Sequence, residues 1–207
     1  VLSRGLGDVY KRQAPLPKLT PAAKALRAAA TIVRPGLAKG PLRFRQLVPP
    51  GFVALQIGDP APDFTLPDQN GDPVKLSDLK GQRVVIYFYP KDDTPGCTKE
   101  ACNFRDRWSS FEDHGIRVLG ISKDNATSHA KFIGKHELPF TLLTDLEPCP
   151  VAASYDSYGL KKFMGREYMG MMRHTFVIDA EGKLEQIYLK VKAATMADTI
   201  LSDLGLE

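Results

Sequence analysis

The sequence predicts an α/β fold in which a central sheet is flanked by helices. Two observations carry that expectation. Short apolar runs rich in β-branched and aromatic residues recur between residues 83 and 191, the pattern of strands buried on both faces. Between them lie segments whose apolar residues recur at spacings of three and four, as on a helix with one buried stripe. Strands that alternate with helices imply a layered arrangement with the sheet in the middle.

The elements follow in chain order. Residues 83–89 (RVVIYFY) read as a buried strand. In residues 97–113, Ala101, Phe104, Trp108 and Phe111 form one apolar stripe, which predicts a single helix. Residues 116–122 (IRVLGIS) repeat the strand signature, and 139–144 (PFTLLT) and 174–179 (HTFVID) are shorter versions of it. Residues 126–137 and 195–204 carry helical patterns. Asp179-Ala180-Glu181-Gly182 is a hairpin-type turn that leads into a last strand over 183–191.

The chain has 207 residues, 43% hydrophobic and 25% charged, which suits one domain with a proper core and some fifty further residues. No run of eighteen apolar residues occurs, so a membrane-spanning helix is excluded. Three cysteines are too few for a disulfide-stapled scaffold. The net charge of +4 divides unevenly. Residues 1–56 hold ten Lys/Arg and one acid, Asp8, whereas residues 57–207 hold eighteen Lys/Arg and twenty-three Asp/Glu. The main domain is therefore acidic and offers no basic face for nucleic acid.

Residues 1–56 are expected to be a basic leader. Residues 1–13 (VLSRGLGDVYKRQ) look like translated adapter or vector sequence and are set aside. Residues 14–56 lack any acidic residue and fit either an organelle transit peptide or a disordered tail. The first reading places the protein in a plastid or mitochondrion, the second in the cytoplasm. Pro49, Pro50 and Gly51 mark a linker, and residues 57–207 are expected to form the domain.

The chemistry concentrates in residues 86–107, IYFYPKDDTPGCTKEACNFRDR. A buried strand ends at Tyr89, a loop follows with Pro90, Thr94, Pro95 and Gly96, and Cys97 opens a helix. The first amides of a helix lack internal partners and carry partial positive charge, so they favour a thiolate there. The proline-stiffened loop leads one to expect an exposed sulfur. Cys102 lies five residues on. Five helical residues advance ~7.5 Å and rotate about 140°, which separates the two Cα atoms by roughly 8–9 Å. A disulfide needs them within about 7 Å, so the pair cannot bridge while the helix is intact. Cys149, His114, His129, His136 and His174 are scattered, without the paired spacing of a zinc site. No glycine-rich nucleotide loop or flavin signature appears, so no cofactor is implied.

The pattern Pro90-x-x-x-Thr94-x-x-Cys97 resembles the peroxidatic-cysteine motif of peroxiredoxins, and Cys102 five residues on resembles the Q-type subgroup, the bacterioferritin comigratory proteins. The likeness runs from Ile57 to the C-terminus, including GDPAPDFTLPDQNG and FMGREYMGMMRHTFVIDAEGK. It implies a thioredoxin-like fold with a central mixed sheet. It also implies a thiol-dependent peroxidase acting on hydrogen peroxide and alkyl hydroperoxides, with an antioxidant role in cell redox homeostasis. By the same resemblance Cys97 is peroxidatic, Cys102 resolving, and Arg173, Thr94 and Pro90 are active-site residues. Arg173 would stabilise the thiolate and hydrogen-bond the peroxide, Thr94 would bridge sulfur and substrate oxygen, and Pro90 would shield the sulfur. Thioredoxin or a similar dithiol protein would reduce the disulfide, and the chain is expected to act as a monomer.

Two alternatives stay open on the residues alone: a thiol-disulfide exchange protein, and a redox sensor in which Cys97 is only a switch. Met164, Met169, Met171 and Met172 read as core filling or as an apolar collar around the peroxide. Cys149 reads as an incidental thiol or as an alternative resolving cysteine.

Overall fold

The computed structural model describes residues 54–163 and 165–206. The expectations for residues 1–53, the transit peptide among them, lie outside the described residues. The described chain opens with Leu55 packed against the core, two residues before the expected boundary, whereas Ile57 itself is exposed. Thr65–Pro67 (β1) and Pro73–Lys75 (β2) form a short antiparallel hairpin, followed by a 3-10 turn at Leu76–Leu79.

The central sheet is assembled from Val84–Phe88 (β3), Arg117–Ser122 (β4), Thr141–Thr144 (β5), His174–Ile178 (β8) and Leu184–Tyr188 (β9). Their order across the sheet is β5-β4-β3-β8-β9. β4 runs parallel to both β3 and β5, while β8 is antiparallel to β3 and to β9, so the sheet is mixed. Every residue of β3 is buried, as its unbroken apolar run requires of a central strand. Side chains alternate across the strand and define two cores. Val85, Tyr87 and Tyr89 face one side with Phe104, Phe111, Phe132 and Ile200. Val84, Ile86 and Phe88 face the other with Phe64, Tyr155, Phe176 and Cys149.

Helices Pro95–Asp106 (α1), Trp108–Asp113 (α2), Ala126–His136 (α3) and Met196–Asp203 (α5) supply the first face, and the short helix Pro150–Ser154 (α4) joins the second. The single helix expected over 97–113 is two helices, α1 and α2. The chain turns at Arg107, whose guanidinium pairs with Asp198 of α5 at 2.5 Å. The turn keeps Phe111 on the same patch as Phe104, with ring centroids 5.7 Å apart. A hairpin of Tyr158–Phe163 (β6) and Arg166–Met171 (β7) stands where the sequence gives no strand signal. It lies outside the main sheet and exposes Leu160, Tyr168 and Met169. No helix among the described residues is long and apolar enough to cross a membrane.

Candidate active site

Thr94 takes an extended conformation just ahead of α1, and Pro95 occupies the first helical position, where a missing N–H costs nothing. The first intrahelical bond shown is Thr98 N to Thr94 O at 2.8 Å, which leaves the amide of Cys97 among the unpaired donors of the first turn. Cys97 thus stands where the helix dipole favours negative charge. The sulfur is not exposed, contrary to the sequence expectation: Cys97 is 1% exposed. Its position faces the Tyr87 side of the sheet, and an arginine covers it.

That arginine is Arg173. The pairing of His174 with Phe88 brings the start of β8 to the end of β3, the point from which the loop to Cys97 departs. From there Arg173 Nη2 donates to Cys97 Sγ at 3.2 Å. Nη1 of the same guanidinium pairs with Glu100. Glu100 lies one turn beyond Cys97 on α1 and its side chain has no solvent exposure. Burial, only partly offset by Arg173, pushes the Glu100 carboxyl up to about 7. Its Oε1 has no hydrogen-bond partner among the described residues, consistent with a carboxyl that holds a proton readily. Burial works against the charge of Arg173, but Glu100 and Cys97 outweigh it and keep the guanidinium firmly protonated. Gly96 leaves room for this fork, since a Cβ there would lie 3.2 Å from Nη2.

The remaining expected residues fall into place unevenly. Thr94 holds the N-cap position, yet its hydroxyl donates to Lys91 O at 3.1 Å and does not reach the sulfur. Pro90 follows β3 and is half-buried. Cys102 is half-buried on the same unbroken helix as Cys97, and both thiols are free. Cys149 is buried in the core on the opposite face of the sheet, so the sheet itself separates it from Cys97. Burial, with Asp145 and Glu147 adding to it, pushes the Cys149 thiol up to about 11. Of the four methionines, Met171 fills the second core and Met169 is exposed, while Met164 lies outside the described residues. Among the described residues no group of three His, Cys, Asp or Glu is placed to hold a metal ion.

The AhpC/TSA family matches residues 57–187. The chain belongs to that family. It falls among its peroxiredoxins of the Bcp, or Q, type. The peroxiredoxin Bcp of Bacillus subtilis (strain 168) is 50% identical over 140 residues, covering 68% of this chain and 88% of that protein. Peroxiredoxin Bcp of Escherichia coli (strain K12) is 45% identical over 148 residues, covering 72% and 94%. Among solved structures, peroxidoxin BcpB of Mycobacterium tuberculosis superposes with a TM-score of 0.64 at 37% identity, covering 73% of this chain and 97% of that one. The bacterioferritin comigratory protein of Xanthomonas campestris, studied for its alkyl peroxide reduction activity, gives 0.64 at 34%, covering 69% and 90%. The expected α/β, thioredoxin-like architecture and the expected activity both stand. This peroxiredoxin is a thiol-dependent peroxidase, an oxidoreductase that takes its electrons from a thiol reductant.

Sequence reasoning missed one member of the site. Glu100 goes unmarked by local spacing, because its partner Arg173 stands 73 positions away in the chain. The signal was available only as its register, one turn from Cys97 on the apolar side of α1.

Proposed function

We propose that Cys97 is the peroxidatic residue and Cys102 the resolving one, with Arg173 as the group that binds and activates the peroxide. The observation that carries this reading is the Arg173 Nη2 to Cys97 Sγ bond of 3.2 Å at a buried helix start. The thiolate of Cys97 attacks one peroxide oxygen, the O–O bond breaks, and the departing oxygen takes a proton to leave as water or an alcohol. Cys97 becomes a sulfenic acid. The donor fork of Arg173 suits two oxygens and meets the charge that develops on the departing one. Glu100 positions that fork by holding Nη1. Thr94 serves through its backbone, which starts the helix, and its hydroxyl, while donating to Lys91 O, keeps its lone pairs to accept from a peroxide. Pro90 shields the site at the strand end.

Cys102 then attacks the sulfenic sulfur, expelling water and forming the disulfide. Since α1 is continuous between the two cysteines, that step requires its first turns to unwind. A thioredoxin-like dithiol protein reduces the disulfide and is itself oxidised. Hydrogen peroxide and alkyl hydroperoxides are the proposed substrates, and the catalytic unit is a monomer of residues 57–207. NADPH consumption with thioredoxin, thioredoxin reductase and peroxide tests the assignment. Wild type should turn over and Cys97→Ser should be silent; turnover retained by Cys97→Ser would overturn it.

A further inference from the structure

The loop that delivers Cys97 contains two consecutive aspartates, and both are tied to one helix. Asp92 is 6% exposed, yet its carboxylate is fully engaged. Tyr89 O–H donates to Oδ1 at 2.7 Å, Ser128 O–H to Oδ2 at 2.7 Å, and His129 Nδ1 to Oδ2 at 3.0 Å. The Asp92 amide donates in turn to Asp124 Oδ2 at 2.9 Å. Burial alone would raise the Asp92 carboxyl, but His129, Ser128 and Tyr89 outweigh it and hold it below the usual range. A carboxylate only accepts, so His129 must carry its proton on Nδ1. His129 is wholly buried and its Nε2 has no partner among the described residues, so this pair is what orients the ring. Asp93 is in the left-handed region at φ 53° and accepts from Lys135 at 2.6 Å and His136 at 3.0 Å. Helix α3 therefore grips the loop before Cys97 at both of its ends. It also grips the far side of α1, where Arg105 Nη1 donates to His136 O at 2.9 Å.

We propose that Asp92 and His129 are positioning residues that hold the start of α1 in its wound, peroxide-reactive form, so that their contact sets how readily Cys97 is released toward Cys102. Starting a helix is costly because several residues must be fixed before the first hydrogen bond repays them. Here the anchors fix Asp92 and Asp93 in advance. Thr94 then presents its carbonyl to the Thr98 amide as part of an ordered loop. Without the anchor, the first turn must order that loop as well, and the unwound form becomes easier to reach. Tyr89 follows the end of β3, Asp124 lies in the loop between β4 and α3, and Ser128 and His129 stand on α3, so the hold does not depend on α1 itself.

The inference rests on the assignment of Cys102 as resolving residue only for its chemical consequence; its structural consequence is independent. In reduced, full-length His129→Ala, amide hydrogen exchange at residues 98–103 should quicken on the order of tenfold, with Val84–Phe88 unchanged. Disulfide formation after one equivalent of peroxide should quicken by a similar factor, and more peroxide should be needed to drive Cys97 to sulfinic acid. His129→Gln, whose amide can donate to Asp92, should restore most of the protection, and Ser128→Ala should fall between. Exchange at 98–103 that is unchanged, or that rises equally throughout the sheet, would overturn the proposal. Faster exchange without any Cys97–Cys102 disulfide would leave this inference standing and count against the assignment of Cys102.

Discussion

Replacing Arg173 with methionine separates the two tasks that this side chain performs. It keeps the bulk of the arginine stem but removes the cation that, among the described residues, pairs with a fully buried carboxyl, Glu100. Stranding one partner of a buried ion pair costs about 3–5 kcal/mol when the remaining group must stay charged. The cost depends on pH with a definite sign. The Glu100 carboxyl is raised to about 7 in the folded protein, so folding binds a proton, and stability is lost as pH rises from the ordinary carboxyl range toward 7. Wild type and variant share that loss. Above about pH 7 wild type ionises Glu100 against Arg173 and levels off. The variant has no such partner and continues to lose about 1.4 kcal/mol per pH unit. Urea midpoints of the reduced proteins should therefore be close at pH 6 and diverge steadily from pH 7 to 9. Adding Glu100→Gln should remove the part of the divergence that comes from the stranded carboxyl and leave only the part due to the Cys97 thiolate, which Arg173 also holds. Peroxide oxidation of Cys97, followed by stopped flow, should fall about 10²–10³-fold in Arg173→Met and stay low in the double variant, since the donor to the departing oxygen is missing in both. Parallel stability curves over pH 7–9, or fast oxidation regained by the double variant, would refute the reasoning.

Three further outcomes follow from the geometry. Cys102→Ser should consume one equivalent of peroxide as fast as wild type and then stop with thioredoxin as reductant; undiminished turnover would mean that another thiol resolves Cys97. Gly96→Ala should slow peroxide oxidation on the order of tenfold with little change in thermal midpoint, because its Cβ, 3.2 Å from Arg173 Nη2, displaces the fork from the sulfur; an unaltered rate would show that the fork does not need that approach. Deleting residues 1–53 should leave turnover and thermal midpoint unchanged, and a midpoint lowered by several degrees would show that the segment contributes to the fold.

The legible parts of this chain are those where one segment carries its own signal. β3 and the 118–121 run of β4 could be read because strands buried on both faces are unbroken apolar runs, with no polar positions to obscure them. The helix start at Cys97 was legible because Thr94, Pro95 and the apolar stripe each mark it. What escaped depends on partners distant in sequence. The turn at Arg107 is held by Asp198, which no local spacing reveals. The β6–β7 hairpin is built of Lys161, Lys162, Arg166 and Glu167, charges that read as loop, and it stays outside the main sheet. The buried sulfur escaped for the same reason as Glu100: both are covered by Arg173, which arrives from the start of β8. Asp92 and Asp93 carry no local signal beyond their place in a loop, and only the packing of α3 shows them as anchors.

The central claim is that the protein reacts with peroxide wound and forms its disulfide unwound. Hydrogen exchange at the amides of residues 98–104, in reduced protein and again after one equivalent of peroxide, tests it most directly. The two cysteines share an unbroken helix whose geometry places their Cα atoms about 8–9 Å apart, beyond the reach of a disulfide. Oxidation should therefore strip protection from residues 98–104 while Val84–Phe88 keeps it, and thioredoxin should restore it. A Cys97–Cys102 disulfide formed with the protection of α1 unchanged would contradict the account.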